Sequence, residues 1–195
     1  MAFEVGSRFL IVRSWESVSP GARIPIILGP GQAFGSGEHE TTRTCLEEME
    51  LLDRLKGAAV LDLGCGTGIL SIAAARLGAR SVVALDPDPQ AIAAAAANIR
   101  LNGLDKTVTC VQGEMEKMRG ACFDLILANL YGDLLIGLAR DIPGLIRPGG
   151  QALLSGVRFE DAFELRSDLV RYGLRLMKQR SLEEYITLLF GKNSA

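Results

Sequence analysis

The stretch from Val60 to Leu70 constrains the fold of this chain more than any other. Its residues, Val-Leu-Asp-Leu-Gly-Cys-Gly-Thr-Gly-Ile-Leu, are typical of a short apolar strand, a glycine-rich turn and the start of a helix. Glycine has no Cβ, so such a turn lets another group approach the backbone closely. The helix start adds N–H groups that have no intrahelical partner. The stretch therefore predicts a ligand site between a strand and a helix.

The spacing of the glycines separates two classes of ligand. The dinucleotide-binding fingerprint G-x-G-x-x-G needs its third glycine at position 69, but here Gly64 and Gly66 are followed by Gly68, and position 69 is isoleucine. Preceded by Asp62, the turn instead resembles the first motif of class I S-adenosyl-L-methionine-dependent methyltransferases. In those enzymes the methionine end of the cofactor lies over the glycines, and an acid beside the turn suits its positive amino group.

Apolar strands alternate with helices from Val60 to the end of the chain. We expect strands at 60–63, 81–85, 107–111, 123–128 and 151–155, and a final pair at 174–180 and 184–190. Helices fit 89–102, 132–146 with a break near Pro143, and 159–172 with Phe163 among its apolar positions. This alternation predicts crossover connections and a parallel sheet. The expected fold class is α/β, a Rossmann-like class I methyltransferase fold with a seven-stranded, mostly parallel sheet and a C-terminal antiparallel hairpin.

The residues before the glycine turn read as an arm, a loop and a helix. The segments 8–15 and 24–28 predict short strands, and Pro25 makes the second an edge strand or an extended arm. Four glycines and a proline make 29–42 an irregular loop. A helix follows from Thr41 or Thr42 to about Lys56, where Gly57 ends it. We divide the chain into an N-terminal arm with short strands, 1–28, and one methyltransferase domain, 29–195.

Composition argues against several function classes. The net charge of −2 gives no support to a nucleic-acid partner bound by overall electrostatics. The four cysteines contain no C-x-x-C pair and indicate reduced cytoplasmic thiols, without a disulfide or zinc set. The N-terminus lacks a signal-peptide pattern, and the alanine run 93–97 is too short to span a bilayer. We expect a cytoplasmic protein with no membrane partner, and the sequence leaves its oligomeric state open.

Candidate site residues follow the strands, because ligands of open α/β sheets bind beyond the carboxyl ends of the strands. Asp86, 22 positions after Gly64, can accept hydrogen bonds from both hydroxyls of a ribose. Glu114 can accept from an adenine amino group or belong to a solvated loop. Asn129 carries a donor and an acceptor, so it can orient a nucleophile or the cofactor, or cap the next helix.

The chain lacks the side chains of most other catalytic mechanisms. His39 is the only histidine, which argues against a histidine metal site or a catalytic triad. Bracing its own loop fits His39 better than acting as a general base. Methyl transfer needs little from a protein, because the donor is already activated and must only be held in line and shielded from water.

Two features go beyond the general fold. Residues 29–42, Gly-Pro-Gly-Gln-Ala-Phe-Gly-Ser-Gly-Glu-His-Glu-Thr-Thr, resemble the signature loop of the ribosomal protein L11 methyltransferase family. Segments 61–70, 84–91, 128–129 and 148–150 continue the resemblance in the same order, so that it covers about 24–190. It implies a protein N-methyltransferase acting on a lysine or a terminal amine. It also implies a lid at 34–37 and cofactor contacts at Thr42, Gly64, Asp86 and Asn129.

The methyl acceptor is less constrained than the cofactor. The family has a separate N-terminal domain that binds the ribosomal protein, and about 25 residues before the loop are too few for it, so the resemblance is to the catalytic domain. The acceptor can be a ribosomal protein, another protein or a small molecule. The same fold could instead form a non-catalytic cofactor-binding subunit or a nicotinamide dehydrogenase. Against the dehydrogenase, this chain lacks the glycine that the dinucleotide-binding fingerprint needs at position 69. Asn129 is the predicted catalytic residue, and the predicted cofactor residues are Thr42, Asp62, Gly64, Gly66, Asp86, Glu114 and Asn129.

Overall fold

The structure is a computed structural model that describes residues 2–14, 16, 19, 21–30 and 34–194. Its strands are β1 Phe3–Val5, β2 Phe9–Arg13, β3 Ile24–Leu28, β4 Ala59–Leu63, β5 Ser81–Asp86, β6 Val108–Gln112, β7 Phe123–Asn129, β8 Ile146–Arg158, β9 Leu174–Ser181 and β10 Tyr185–Lys192. Its helices are α1 Glu40–Met49, α2 Ile69–Arg76, α3 Pro89–Leu101, α4 Gly132–Leu138, α5 Ile142–Leu145 and α6 Phe159–Arg171, with a 3-10 helix at Met115–Met118. No helix in these ranges is long and apolar enough to cross a membrane.

A seven-stranded sheet in the order β6-β5-β4-β7-β8-β10-β9 forms the centre of the protein. Strands β4 to β8 run parallel, as crossover connections through helices require. Strand β10 pairs antiparallel with both β8 and β9, so the C-terminal hairpin forms the two outermost strands on this side of the sheet. The predicted fold class, seven-stranded sheet and antiparallel hairpin are confirmed.

Both faces of the large sheet are covered, which explains why its central strands are apolar on both sides. Val60 of β4 belongs to one core, where helices α1, α2 and α3 pack. Leu61 and Leu63, which point the other way, belong to a second core with α4, α5 and α6. The sheet is therefore the middle layer of three.

A second sheet, in the order β1-β2-β3, packs on the face that carries α1, α2 and α3. Its apolar residues join the same core as the helices, so the arm does not pack by itself. Helix α3 also blocks the free edge of β3: Asn98 Oδ1 accepts from Gly29 N at 2.8 Å, and Asn102 Oδ1 accepts from Ile27 N at 3.0 Å. The proposed division at residues 28 and 29 remains a prediction.

Two helix boundaries differ from the prediction. Helix α1 ends at Met49 and does not reach Lys56, because i→i+3 bonds such as Leu51 N to Glu48 O tighten the chain into turns. This bend lets Leu55 reach the core at 2% exposure. The helix expected at 132–146 breaks at 139–141, and Pro143 stands in the first turn of α5, where its missing N–H costs nothing. The predicted strand end at Trp15 and the loop at 31–33 lie outside the described residues.

An ion-pair cluster ties α1 to the edge strand β9. Glu48 is 3% exposed, and its two carboxylate oxygens accept from Lys178 Nζ at 2.7 and 2.9 Å. Arg180 lies 3.6 Å from the same carboxylate and pairs with Glu47 at 2.6 Å. The cluster fixes the position of α1 over the sheet.

We expect Lys178→Met to lower the free energy of unfolding by about 2 kcal/mol, because it leaves the buried Glu48 carboxylate with Arg180 alone. The value is below that of a fully buried pair, since the Lys178 side chain is 45% exposed. Urea unfolding measures the change. Arg100→Met is the control, because the Arg100–Asp105 pair at 3.9 Å is exposed and should contribute about 0.5 kcal/mol or less. Equal losses in the two variants would contradict the prediction.

Candidate functional site

A cavity of about 380 Å³ opens at the carboxyl ends of β4, β5 and β7. Helices, turns and the start of β10 complete its wall, and its volume is in the range of small-molecule sites. The lining residues are Phe34, His39, Thr41, Gly64, Gly66, Asp86, Pro87, Asp88, Ala91, Asn129, Leu130, Tyr131, Leu134, Gly156 and Tyr185. Gly64, Gly66, Asp86 and Asn129, all predicted from the sequence, therefore meet in one cavity.

The glycine turn has the backbone shape that only glycine adopts without strain. Gly64, Gly66 and Gly68 have φ values of +71°, +52° and +78°. Each also lies against protein atoms where a Cβ would collide: Leu130 at Gly64, the Phe34 carbonyl at Gly66 and Ala95 at Gly68. These glycines thus serve close packing within the protein as well as the lining of the cavity.

The segment Phe34–Gly37, expected to form a lid, is seated on this turn. Thr67 N donates to Phe34 O at 3.0 Å, and Thr67 Oγ1 donates to Gly35 O at 2.7 Å. The Phe34 side chain lines the cavity and is 53% exposed. The segment therefore forms one wall of the cavity. Thr67, which lies between Gly66 and Gly68, holds its backbone in place.

Asp86 joins the glycine turn to the next helix. Its Oδ2 accepts from Gly66 N at 3.0 Å and its Oδ1 accepts from Asp88 N at 3.0 Å. Each carboxylate oxygen keeps a further lone pair, and the side chain lines the cavity while only 9% exposed. Asp88 caps α3 by accepting from Gln90 N at 2.8 Å, which leaves Asp86 available for a ligand.

Asn129, at the end of β7, lines the cavity and holds a buried acceptor. Its Nδ2 donates to Thr42 Oγ1 at 3.1 Å, whereas its Oδ1 is buried and has no hydrogen-bond partner among the described residues. An unpaired buried acceptor costs free energy, so such atoms are rare in proteins unless a ligand or water satisfies them. Thr42 itself is fully buried and does not line the cavity; it orients the Asn129 amide.

His39 has a structural role that its position in the sequence did not define. It is the N-cap of α1, and its Nδ1 accepts from Thr41 N at 3.3 Å and lies 2.8 Å from Thr41 Oγ1. In the neutral ring the proton is then on Nε2. The ring lies 5.6 Å from that of Phe34 and 5.4 Å from that of Tyr185, and it lines the cavity. His39 thus connects the loop to the C-terminal hairpin.

Besides Thr42, two further predicted cofactor residues, Asp62 and Glu114, lie outside the cavity lining. Asp62 points to the α2 side of the sheet, is 1% exposed and accepts from Ser71 Oγ at 2.6 Å. Burial raises the pKa of its carboxyl to about 6, and the Ser71 hydrogen bond acts in the opposite direction. Glu114 is exposed and follows β6 without reaching the cavity in this structure.

Gly156 and Tyr185 are among the cavity residues that sequence reasoning missed. Gly156 lies within β8 with φ +82°, where a Cβ would meet the Leu130 carbonyl. In the sequence, only the glycine itself indicates this positive φ. Tyr185 starts β10, and its approach to His39 depends on the order of strands in the sheet, which no local pattern reveals. Among the residues with described positions, no cluster of three or more His, Cys, Asp or Glu side chains could hold a metal ion.

Comparisons with known proteins identify relatives of the whole chain. The family model described as "Ribosomal protein L11 methyltransferase (PrmA)" matches residues 2–193. Proteins of that name from Pelobacter propionicus and Trichlorobacter lovleyi are 41% and 42% identical over 191 and 175 residues. These alignments cover 95% and 87% of this chain but only 62% and 55% of the two relatives. The chain thus spans about three fifths of the length of these relatives.

A solved structure has the same fold over nearly its entire length. The crystal structure of ribosomal protein L11 methylase from Lactobacillus delbrueckii subsp. bulgaricus superimposes with a TM-score of 0.91. The two chains are 28% identical, and the match covers 98% of each. The strand order and the C-terminal hairpin described above are therefore those of an experimentally observed architecture.

We expect Asp62→Asn to remove a pH-dependent loss of stability. Because the folded-state pKa is raised to about 6, stability from this group is complete below about pH 4 and is lost as the pH rises to 6. Asparagine keeps an acceptor for Ser71 and carries no charge. Relative to the parent protein, the variant should gain on the order of 2 kcal/mol in unfolding free energy between about pH 4 and pH 7.5. Urea titrations at both pH values test this.

The exposed residue Asp53 provides the control for this comparison. Asp53→Asn should change the unfolding free energy by the same small amount at both pH values. A difference between Asp62→Asn and the parent protein that does not vary with pH would contradict the assigned burial of the charge.

Proposed function

The chain belongs to the ribosomal protein L11 methyltransferase family, and from this premise we propose that it binds S-adenosyl-L-methionine and methylates an amine nitrogen of a protein. The acceptor amine is a lysine side chain or a chain terminus. The observation that carries the proposal is the buried Asn129 Oδ1, an acceptor without a partner among the described residues, on a side chain that lines the same cavity as Asp86 and the glycine turn. That arrangement suits a nucleoside at one end and an amine at the other.

The cofactor fits the residues of the cavity. We assign the ribose hydroxyls to Asp86, whose remaining lone pairs face the cavity, and the methionine end to Gly64 and Gly66. When bound, the cofactor supplies an activated methyl group on a sulfonium. Asp62 acts on the cofactor indirectly. Its carboxyl is buried beneath the glycine turn, accepts a hydrogen bond from Ser71 and so supports the turn. Glu114 is retained as a candidate contact to the adenine, which would require the exposed loop after β6 to turn inward.

We assign Asn129 to the acceptor amine. Its Oδ1 can accept one amine N–H and so direct the nitrogen lone pair along the line of transfer. Thr42 is a positioning residue, because its hydroxyl accepts from Nδ2 and leaves Oδ1 as the atom presented to the cavity. Thr42 on α1 is fully buried and Asn129 Oδ1 has almost no solvent contact, so water competes little for this acceptor.

A general-base role does not suit His39. The one nitrogen with a lone pair, Nδ1, already accepts from Thr41 N as the cap of α1, so protonation there would break the cap. We assign His39 to the wall of the acceptor channel, between the rings of Phe34 and Tyr185. The amine must then reach the site already neutral or lose its proton to solvent.

The names of the relatives point to ribosomal protein L11 as a first acceptor to test. Because the chain spans only part of those relatives, we propose a protein amine as the class and leave its identity to experiment. Incubation with radiolabelled cofactor distinguishes two classes of acceptor: label in a protein supports the proposal, and label in a small-molecule fraction supports a small-molecule methyltransferase. We also propose a cytoplasmic location, in keeping with cysteines that are unpaired throughout the described residues.

We expect Asp86→Ala to weaken binding of S-adenosyl-L-methionine at least tenfold, about 1.4 kcal/mol, because the ribose loses its carboxylate. Titration calorimetry with the cofactor and with its demethylated product measures this. NAD serves as the control ligand and should not bind the parent protein. Binding of NAD alone would support a nicotinamide dehydrogenase, and an unchanged affinity in Asp86→Ala would refute the ribose contact.

Asn129→Ala should lower kcat for methyl transfer by about 100-fold, because the amine loses the group that orients it. Cofactor affinity should change much less, so the loss should be in kcat. Thr42→Val should have a smaller effect of the same kind, since the amide then loses only the bond that fixes its orientation. Thr42→Ser keeps that bond and is the matched control. A purely structural role would instead lower thermal stability in Asn129→Ala and Thr42→Val while kcat stayed near its original value.

A further inference from the structure

A surface groove adjoins the mouth of the cavity. It is lined by Arg158, Phe159, Glu160, Glu183 and Glu184, from the end of β8, the start of α6 and the turn between β9 and β10. Tyr185 follows these glutamates directly, pairs with Arg158 across the two strands and lines the cavity. The groove and the cavity therefore share a wall, and we call this surface the mouth groove.

The mouth groove is acidic. It contains three carboxylates and one guanidinium, and that guanidinium is offset by Glu160 at 3.8 Å. Glu183 and Glu184 are exposed, and neither forms a salt bridge with any described residue. Asp133 and Asp161 add further negative charge nearby, and the Asp161 carboxyl lies against Gly132, which follows Tyr131 of the cavity wall. A negative field at the mouth attracts cations and repels nucleic acid.

Large apolar side chains lie exposed around the same mouth. Tyr131 and Leu134 line the cavity and are 67% and 51% exposed, and Phe159 in the groove is 51% exposed. Phe163, one helical turn beyond Phe159, is 73% exposed. Aromatic side chains left in water beside a cavity are characteristic of surfaces that bind a partner.

We propose that the mouth groove docks a basic segment of the methyl acceptor, one in which lysine or arginine and apolar residues flank the target amine. Glu183 and Glu184 face the flanking cations, and Phe159 and Phe163 pack against the apolar residues. The proposal rests on the function proposed for the cavity and adds the class of sequence around the amine. Charge complementarity selects this occupant, because an acidic segment or a nucleic acid would be repelled.

Binding of two synthetic peptides tests the proposal independently of catalysis. Both are acetylated and fluorescent with one central lysine; arginine and leucine flank it in one, and glutamate and leucine in the other. The protein is loaded with the demethylated cofactor, and fluorescence anisotropy measures the Kd. The basic peptide should bind at least about tenfold more tightly than the acidic one, and the preference should weaken with added salt.

Variants locate the binding surface. Glu183→Lys with Glu184→Lys should weaken the basic peptide by about tenfold or more. Phe159→Ser with Phe163→Ser should weaken it without changing its salt dependence. The control is Asp53→Lys with Asp105→Lys, an equal change of charge on exposed residues that precede β4 and β6, at the opposite edge of the sheet. It should leave the peptide affinity unchanged.

Several outcomes would overturn the docking proposal. These are equal affinities for the two peptides, equal effects of the groove and control variants, and self-association of the protein that Phe159→Ser with Phe163→Ser abolishes. Cofactor titration is measured on the same protein preparation, and label transfer to the peptide is measured in parallel with radiolabelled S-adenosyl-L-methionine in place of the demethylated cofactor. Failure of these with intact peptide selectivity would count against the methyltransferase function and not against the groove.

Discussion

The seating of Phe34–Gly37 on the glycine turn is the contact on which the rest of the site depends. Thr67 holds the Phe34 and Gly35 carbonyls through its N–H and its hydroxyl, and the missing Cβ of Gly66 makes room for the Phe34 carbonyl. This segment leads directly into His39, which caps α1. Helix α1 then places Thr42 against Asn129. A backbone contact between two irregular segments thus sets the orientation of an amide at the end of a buried strand.

The sheet collects the remaining groups at one edge. Parallel strands β4, β5 and β7 bring the glycine turn, Asp86 and Asn129 together, because their carboxyl ends lie side by side. Strand β10 runs antiparallel to β8, so its amino end lies at the same edge of the sheet as the carboxyl ends of the parallel strands. It adds an aromatic residue to the site. Tyr185 therefore faces the cavity from the far end of the sequence, and its contact with His39 joins the hairpin to the loop.

Much of this arrangement is readable from the sequence because it depends on local chemistry. Apolar periodicity and the positions of glycine and proline predict the glycine turn, the strand ends at Asp86 and Asn129, and the hairpin. What the sequence could not provide depends on tertiary geometry: the end of α1 at Met49, the burial of Asp62 on the α2 side and the meeting of His39 with Tyr185. The sequence also could not show whether another layer covers an apolar helix position such as Phe163, which is 73% exposed.

We expect the cavity and the surface around it to recognise different parts of the acceptor. A cavity that ends at one amide oxygen can recognise an amine, and every lysine presents the same amine. Discrimination among acceptors must therefore come from residues beyond the amine, on the protein surface at the mouth. The C-terminal hairpin is placed to contribute to both, because Tyr185 closes the cavity while Glu183 and Glu184, directly before it, face solvent. Substitutions in the β9–β10 turn should thus alter the choice of acceptor while the groups proposed to hold the cofactor, at the ends of β4 and β5, remain unchanged.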